Sequence, residues 1–415
     1  MSRSPHSGDG GNESHRVFTT KLLGRLALGW TGVLTAFLLK DFLRSPLPLG
    51  LSVAILAVLV AVILVCSAGV VVEAERLAAV LGDPYGTLIL SVSIAIIEVI
   101  LIAAVMLGPG SSQTIARDSI MAVSMIILNL VVGSALLIEA RRTPAAVANR
   151  RGALIYLALI AALLAFAFAS PAVLASSPRA EFLPSQQVWV AIFSGATYCV
   201  FLYLQTGPWR GAFQEVPSNE GPLADGRTSV KGPSGVSTTL PRHARIAPVI
   251  RERGRELLAR TAAIAALMVP VVVLSNDMAH QLERVVVAAN APVALSGLVI
   301  AMIVFLPETI TTLRASAFGE AQRVSNLTHG ALLSTLGITI PVVLTLGLVA
   351  GVPVVMGESA LNLGFLAVTL AVSVATFASE KPRLRPAQGK LRKSAFAAAH
   401  LTLFALYLGS LFVST

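Results

Sequence analysis

The chain has 415 residues, of which 55% are hydrophobic and only 13% are charged, and its mean hydropathy is +0.80. Soluble globular proteins carry about 25% charged residues, so this composition predicts a chain that lies largely in lipid. The formal charge of +10 does not indicate nucleic-acid binding, because the basic residues lie in the connectors between apolar runs. Cys66 and Cys199 both lie inside apolar runs and therefore predict neither a disulfide framework nor a metal site.

Eleven apolar runs are long enough to cross a bilayer. In chain order, these predicted spans lie at 25–43, 50–72, 86–108, 119–139, 152–176, 187–206, 258–276, 293–314, 328–350, 354–378 and 394–413. Residues 1–20 are polar and are predicted to form a disordered cytoplasmic N-terminus without a cleaved signal peptide. The Gly/Pro/Ser-rich stretch 207–256 is predicted to be a cytoplasmic linker. The expected fold class is an all-α integral membrane protein.

The distribution of basic residues predicts the orientation of the chain. With the N-terminus inside, 26 of the 31 lysine and arginine residues fall on the cytoplasmic side. Because cytoplasmic loops of membrane proteins are enriched in basic residues, this bias predicts a cytoplasmic N-terminus and an outside C-terminus. The expected location is the cytoplasmic (inner) membrane, and an odd number of spans is required.

An internal repeat is indicated by a shift of 210 residues, which superposes spans two to six on spans seven to eleven. The shift pairs Glu73 with Glu283 and Glu98 with Glu308. It also pairs Ser124 with Ser334, and Asn129 with Thr339. Because each half has five spans, the second half must enter the membrane inverted, as in many secondary transporters. The predicted units are an extra N-terminal helix (21–45), a first repeat (46–206) and an inverted second repeat (257–415).

Two acids, Glu98 and Glu308, lie well inside predicted spans. An ionised carboxylate at the bilayer centre is costly, so such residues usually mark an ion path or face the interior of the bundle. At equivalent points of an inverted repeat, the two glutamates would converge on one site. The structural alternative is a pair of protonated glutamates that hydrogen-bond to neighbouring helices.

The chemistry of such a pair suits exchange of a cation for protons. Desolvation and mutual repulsion favour the protonated carboxyl, whereas a hard cation favours the ionised form, so the two compete. Pro307 should kink its helix and free carbonyl oxygens beside Glu308. Ser124 and Asn129 are about 140° apart on an α-helix, which prevents both from pointing straight at one ion. The candidate auxiliary ligands are Ser91, Ser124, Asn129, Thr311, Thr312, Ser334 and Thr335, each of which has a structural role in helix packing as its alternative.

Glu73 and Glu283 lie at the ends of spans two and seven, on opposite sides of the membrane in this topology. They are candidate vestibule acids that would guide cations or protons, and a solvated helix end is the competing interpretation for each. No cofactor is predicted. The expected partners are the transported cations, protons and the lipid bilayer, with no nucleic acid.

These residues resemble the calcium/cation antiporter superfamily, and within it the bacterial calcium(sodium, potassium)/proton antiporters. The resemblance spans about residues 50–413. It is strongest at Val72–Leu77 and Tyr85–Val99 in the first half, and at Leu306–Thr309 and Asn326–Gly337 in the second. It implies that the membrane-embedded acid of each half, here Glu98 and Glu308, binds the transported cation.

The chain departs from the superfamily pattern at the residues before each core acid. Eukaryotic-type calcium/proton exchangers carry Gly-Asn there, whereas this chain has Ile94-Ala95 and Val304-Phe305. Loss of the asparagine carbonyls removes ligands that calcium prefers, which leaves calcium, sodium and potassium open as substrates. The alternatives are a sodium/calcium exchanger without proton coupling, an ion channel and an intramembrane enzyme. No H-E-x-x-H, G-x-S-x-G or P-loop motif supports the enzyme, and an internal inverted repeat argues against a channel.

Overall fold

The computed structural model describes residues 19–81, 93, 95–97, 99–103, 106, 113–143, 146–171, 182–207, 209–213, 246–292, 294–379 and 386–413, and they are almost entirely helical. Helices dominate because a segment in lipid must satisfy its own backbone hydrogen bonds. The helices are α1 (Thr20–Leu38), α2 (Lys40–Arg44), α3 (Leu49–Leu81), α4 (Ile115–Arg142), α5 (Arg150–Ala169), α6 (Pro184–Thr206), α7 (Ile246–Ala288), α8 (Ala294–Phe318), α9 (Ala321–Ala350), α10 (Ala360–Ala378) and α11 (Pro386–Leu411).

Within the part of the chain that the structure describes, nine helices are long and apolar enough to cross a membrane. They are α3 to α11, so the all-helical membrane fold is confirmed, but the exact count of eleven spans is not. The first predicted span corresponds to α1, which is not among the nine. The third, 86–108, is described only at ten positions, all of them helical.

The helix bounds differ from the predicted spans mainly at the linker. Residues 246–256, predicted to be linker, belong to α7, which has a break in its helical geometry at Arg253. The preceding residues 214–245 lie outside the described part of the chain. After α6 the chain forms a short 3₁₀ turn, Arg210–Ala212, and Phe213 packs against the rings of Tyr156 and Phe201. The predicted linker is therefore anchored to the bundle at its beginning and continues as a helix at its end.

Helices α3 and α7, which are equivalent in the predicted repeat, pack against each other in antiparallel orientation. Glu73 is paired with Arg260 near the end of α3 and the beginning of α7. At the opposite ends, Ser52 and Glu283 line the same pocket. Antiparallel packing of equivalent helices is what an inverted repeat requires.

Helices α4 and α9 are also equivalent, and they cross in the same way. Ala135, late in α4, clusters with Val324, early in α9. The middle of α4 packs against residues 326–330, and its first turns pack against residues 331–350. The two helices therefore run in opposite directions along the bundle. This second antiparallel pair supports the inverted repeat.

Helix α1 lies outside these pairs, in the groove between α3 and α7. Gly29 is so close to Cys66 and Pro270 that a Cβ atom on it would lie 2.7 Å from the Cys66 sulfur. At the end of α2, the guanidinium of Arg284 donates to the carbonyl oxygens of residues 43, 44 and 45. This first segment is thus attached to the outer face of the α3–α7 pair.

Candidate cation-binding site

Glu308, in the middle of α8, is a buried acid without a partner among the residues that the structure describes. Its residue exposure is 8%, and neither carboxylate oxygen has a hydrogen-bond partner among the described residues. The described chain buries four other acids, and each has an ion pair or hydrogen bond: Glu73, Asp118, Glu139 and Glu358. A buried carboxylate with no partner is costly, so it identifies a position where a ligand or a proton completes the site.

Helix α8 runs parallel to α4 in close contact, and the contacts between the two helices determine the height of Glu308 in the bundle. A Cβ atom on Gly297 would lie 2.7 Å from the backbone nitrogen of Ser119, so only glycine permits this approach. Near the other end, the Ser316 hydroxyl donates to the carbonyl oxygen of Ala135 at 2.6 Å. Glu308 lies between these two contacts and is therefore level with the middle of α4.

At that level α4 is not an α-helix but a π-helical turn, Ile126–Val131. A second π turn, Asn326–Gly330, lies early in α9. The two π turns contact each other, and both contact α8. Such turns widen a helix by one residue and are frequent at functional sites. The centre of the bundle thus combines two local departures from α-helical geometry with a carboxylate that has no partner in the described part of the chain.

The partner carboxylate of the predicted pair, Glu98, lies outside the described residues, as does Ser91. Around Glu98, the side chains of Ile97, Leu101 and Ile102 are buried. The convergence of Glu98 with Glu308 on one site therefore stays a prediction.

The predicted auxiliary ligands near Glu308 on α8 differ in their surroundings. Thr312, one helical turn after Glu308, is 1% exposed and shares its face. Thr311 is half-buried and donates its hydroxyl to the carbonyl oxygen of Pro307 at 3.0 Å. The helix continues through Pro307, whose missing N–H leaves the carbonyl of Ile303 without its usual donor. Thr312 is thus the better placed of the two threonines.

The other predicted ligands lie on α4 and α9 and are all buried. Ser124 donates its hydroxyl to the carbonyl oxygen of Ile120 at 2.8 Å, which leaves its lone pairs free to accept or to ligate. Ser334 and Thr335 are 3% and 1% exposed in α9. The amide of Asn129 lies in the π turn of α4 and is held by side chains of α10 and α11. The hydroxyls and the amide thus lie on the two helices whose π turns meet at α8.

Of the two predicted vestibule acids, Glu73 does not line a vestibule. Its side chain is 1% exposed, and its two oxygens are each 2.7 Å from a guanidinium nitrogen, one of Arg76 and one of Arg260. Glu73 therefore joins α3 to α7 as part of a buried ion-pair cluster. Glu283 does line an open pocket of about 540 Å³, together with His280 and the beginning of α3.

Glu75 is an acid whose position the sequence reasoning missed. It lies two residues after Glu73 and is therefore on the opposite side of α3. Its side chain is exposed, and its charge acts on Glu308 and on Arg323. The repeat directed attention to Glu73, because only that acid has an acidic equivalent at the 210-residue offset. The two-residue spacing on a helix places Glu73 and Glu75 on opposite sides, so it could have predicted that the two acids have different surroundings.

Two further polar residues, Glu139 and His329, are buried within the bundle. Glu139 lies near the end of α4, yet it is 3% exposed and its carboxylate lies 2.5 Å from the ammonium of Lys393 in α11. His329, in the π turn of α9, is fully buried against the rings of Tyr156 and Phe377. Its Nδ1 lies 3.0 Å from the carbonyl oxygen of Ser325. Both residues are packed within the bundle rather than exposed at its surface.

Comparison with known proteins shows what this chain and its fold are similar to. The family model described as sodium/calcium exchanger protein matches residues 51–207. The sodium-potassium/proton antiporter ChaA of Escherichia coli is 29% identical over 343 residues, which cover 83% of this chain and 84% of that protein. The ionic transporter y4hA of Sinorhizobium fredii is 29% identical over 337 residues, which cover 81% of this chain and 82% of that protein.

Among solved structures, native YfkE matches with a TM-score of 0.63 and 13% identity, covering 94% of this chain and 99% of that one. The H+/Ca2+ exchanger CAX matches with a TM-score of 0.57 and 10% identity, covering 94% of this chain and 95% of that one. At these identities the structures show a shared fold. With the sequence relatives and the family model, they confirm the predicted resemblance to the calcium/cation antiporter superfamily: the chain is a multi-pass membrane protein whose relatives are transporters rather than enzymes.

Proposed function

We propose that the chain is a secondary active transporter that exchanges a cation for protons across the cytoplasmic membrane by alternating access. Glu98 and Glu308 bind the cation or protons in competition. The cation is calcium, or sodium and potassium, and the N-terminus is cytoplasmic. The observation that carries the proposal is the buried Glu308 carboxylate, whose two oxygens have no partner among the described residues. The transporters named for proton exchange among the relatives and fold neighbours support the same assignment.

The Glu308 carboxylate is costly to keep ionised and unoccupied inside the bundle. A charge held in a dry bundle without a partner is destabilising, so the site favours two loaded states, protonated or cation-bound. If the transporter changes between its inward-facing and outward-facing forms only in those two states, each cycle exchanges a cation for protons. Oxygen ligands of a hard cation would come from the serine and threonine hydroxyls of α4, α8 and α9. Helices α8 and α9 belong to the second half and α4 to the first, so the site lies where the two halves meet.

Everted membrane vesicles provide the test. A pH gradient is established, and calcium, sodium or potassium is added to wild-type protein, to Glu98→Gln and to Glu308→Gln. We expect at least one cation to dissipate the gradient in the wild type and neither glutamine variant to respond, because an amide cannot exchange a proton for a cation. Asp41→Asn, an exposed acid of α2, serves as the matched control and should behave as the wild type. If no cation moves protons although the protein is inserted, proton exchange is wrong.

Sodium/calcium exchange without protons is the second candidate. The description of the matching family and a fold match to the sodium-calcium exchanger NCX_Mj, with a TM-score of 0.50 and 11% identity, favour it. In that case a sodium gradient would drive calcium uptake into vesicles in which no cation moves protons. The same preparations and variants decide between the two candidates.

A further inference from the structure

The amide of Asn129 is held by a buried polar network that extends away from the site. Its Nδ2 donates to the Thr369 hydroxyl in α10 at 2.9 Å. Its Oδ1 lies 3.1 Å from Nδ1 of His400 in α11, and because a carbonyl oxygen only accepts, the imidazole is the donor. All three residues are 0% exposed. The orientation of the amide is therefore fixed from two helices that carry none of the predicted site residues.

His400 is itself held at both ring nitrogens. Its Nε2 lies 3.2 Å from the hydroxyl oxygen of Thr376, two turns after Thr369 in α10. On its other side, the His400 Cβ packs directly against Gly133 of α4, where a Cβ atom would lie 3.1 Å away. Because both ring nitrogens are engaged and the Cβ is packed against Gly133, the imidazole is held in one orientation. It therefore presents one fixed donor to Asn129.

The network joins the two halves of the molecule, and it has no counterpart at the positions that are equivalent in the predicted repeat. The position equivalent to Asn129 in the repeat is Thr339, whose buried hydroxyl has no partner among the described residues. The positions equivalent to Thr369 and His400 are Leu159 and Val190, which cannot hydrogen-bond through their side chains. Apolar residues thus serve for packing at the equivalent place. Since buried polar groups are costly unless fully satisfied, the network must serve something other than packing.

The location of Asn129 indicates which role, other than packing, the network has. It lies in the π turn of α4, the segment that contacts α8 at the level of Glu308. One lone pair of its Oδ1 accepts from His400, and the second is left for another partner. Neutral amide oxygens are ligands that hard cations accept alongside carboxylates. An amide oxygen fixed in advance binds more tightly than a mobile one, because less ordering is needed on binding.

We propose that His400 and Thr369 position the Asn129 amide as a neutral oxygen ligand for the cation bound at Glu308. His400 is then a positioning residue that determines cation affinity and selectivity from α11. This inference rests on the proposed function, since it adds positioning residues to Asn129, one of the candidate auxiliary ligands of the same site. It treats the imidazole as a fixed donor that does not carry the exchanged proton.

The experiment uses purified full-length protein in lipid nanodiscs, with cation binding measured as thermal stabilisation by calcium, sodium or potassium chloride. Vesicle exchange then gives KM and Vmax at pH 6.5 and pH 8. The variants are His400→Leu, Thr369→Val and the conservative His400→Gln, whose amide N–H can still donate to Asn129. Ser373→Ala is the matched control, because Ser373 is equally buried in α10 and its hydroxyl has no partner among the described residues.

We expect His400→Leu and Thr369→Val to weaken cation binding and raise KM about tenfold, the scale of one lost hydrogen bond that orients a ligand, with Vmax little changed. The order of preference among the three cations should change in both. His400→Gln should stay within about threefold of the wild type, since it restores the donor. Ser373→Ala should match the wild type.

Two results would overturn the proposal. In the first, His400→Leu and Thr369→Val bind all three cations as the wild type does, so the network does not act on the site. In the second, His400→Leu and His400→Gln shift the pH dependence of KM equally, so the imidazole titrates during transport. If the wild type is neither stabilised by nor exchanges any cation, the proposed function itself fails. That outcome is distinct from a wild type that binds and a His400→Leu variant that is unaffected.

Discussion

At the scale of single residues, the surroundings of the buried acids separate function from structure. Glu73 and Glu139 are bonded to basic side chains, and their burial is compensated. Glu308 has no such compensation among the described residues. The sequence identified Glu308 because it lies deep within an apolar run. It did not identify Glu139 as buried, because a position near a helix end says nothing about whether another helix covers it.

Glu358, in the segment between α9 and α10, allows a prediction about pH. Burial raises the pKa of its carboxyl above the ordinary value, and the hydrogen bond from Asn362 and the charge of Arg117 oppose this shift. Arg117 also pairs with Asp118 at 2.9 Å. Arg117 therefore stabilises the ionised form of a buried acid that would otherwise favour the neutral form.

We expect Arg117→Gln to lower the free energy of unfolding by about 2 kcal/mol at pH 8, where Glu358 is left ionised, buried and short of a positive charge. The loss should shrink at pH 5, because a carboxyl with a raised pKa binds its proton at higher pH and the neutral form needs no ion pair. Thermal unfolding of the purified protein at the two pH values measures this. Arg323→Gln, which removes an exposed pair with Glu320, should cost little at either pH. An equal loss for Arg117→Gln at both pH values would contradict the explanation.

At the scale of helices, the sequence located the apolar runs well but missed their local geometry. The predicted sixth span, 187–206, lies within α6, Pro184–Thr206, because hydropathy reports membrane crossing directly. The π turn of α4 was not predicted. Residues five apart lie about 140° apart on an α-helix, but a π turn brings them closer to one face. The separation assigned to Ser124 and Asn129 was therefore too large, and no periodicity in the sequence reveals the extra residue.

The junction between α4 and α11 supplies a prediction at this scale. The Lys393 ammonium contacts the carboxylate of Glu139 and the carbonyl oxygen of Ala146, so one side chain joins two helices and a loop. Lys393→Met should destabilise the protein by about 3–5 kcal/mol, because it leaves Glu139 buried and unpaired. The double variant Lys393→Met/Glu139→Gln should recover most of that loss. Thermal unfolding of the two single variants and the double variant forms the cycle, and additive losses would show that the two groups do not interact.

At the scale of the whole molecule, two pairs of helices that the predicted repeat makes equivalent also pack against each other. Equivalent helices α3 and α7 are antiparallel, and so are α4 and α9. Sequence alone could indicate the repeat, because charged residues are scarce in this chain and their pairing at one offset is informative. It could not indicate that His400, in the last helix, reaches the first half through Asn129. Contacts between distant segments leave no periodic trace in a single sequence.

The number and direction of crossings can be decided with reporters at three places: the N-terminus, the 207–256 connector and the C-terminus. Green fluorescent protein is fluorescent only inside, and alkaline phosphatase is active only outside. Five described helices, α7 to α11, separate the connector from the C-terminus, so these two reporters must lie on opposite sides. The bias of basic residues predicts a cytoplasmic connector and an outside C-terminus.

The N-terminal reporter should also be cytoplasmic, because α1 and the predicted third span bring the crossings before the connector to six. An outside N-terminus with a cytoplasmic connector would mean that one of these two segments does not cross, and α1, which is not among the nine apolar spanning helices of the described chain, would be the one to remove.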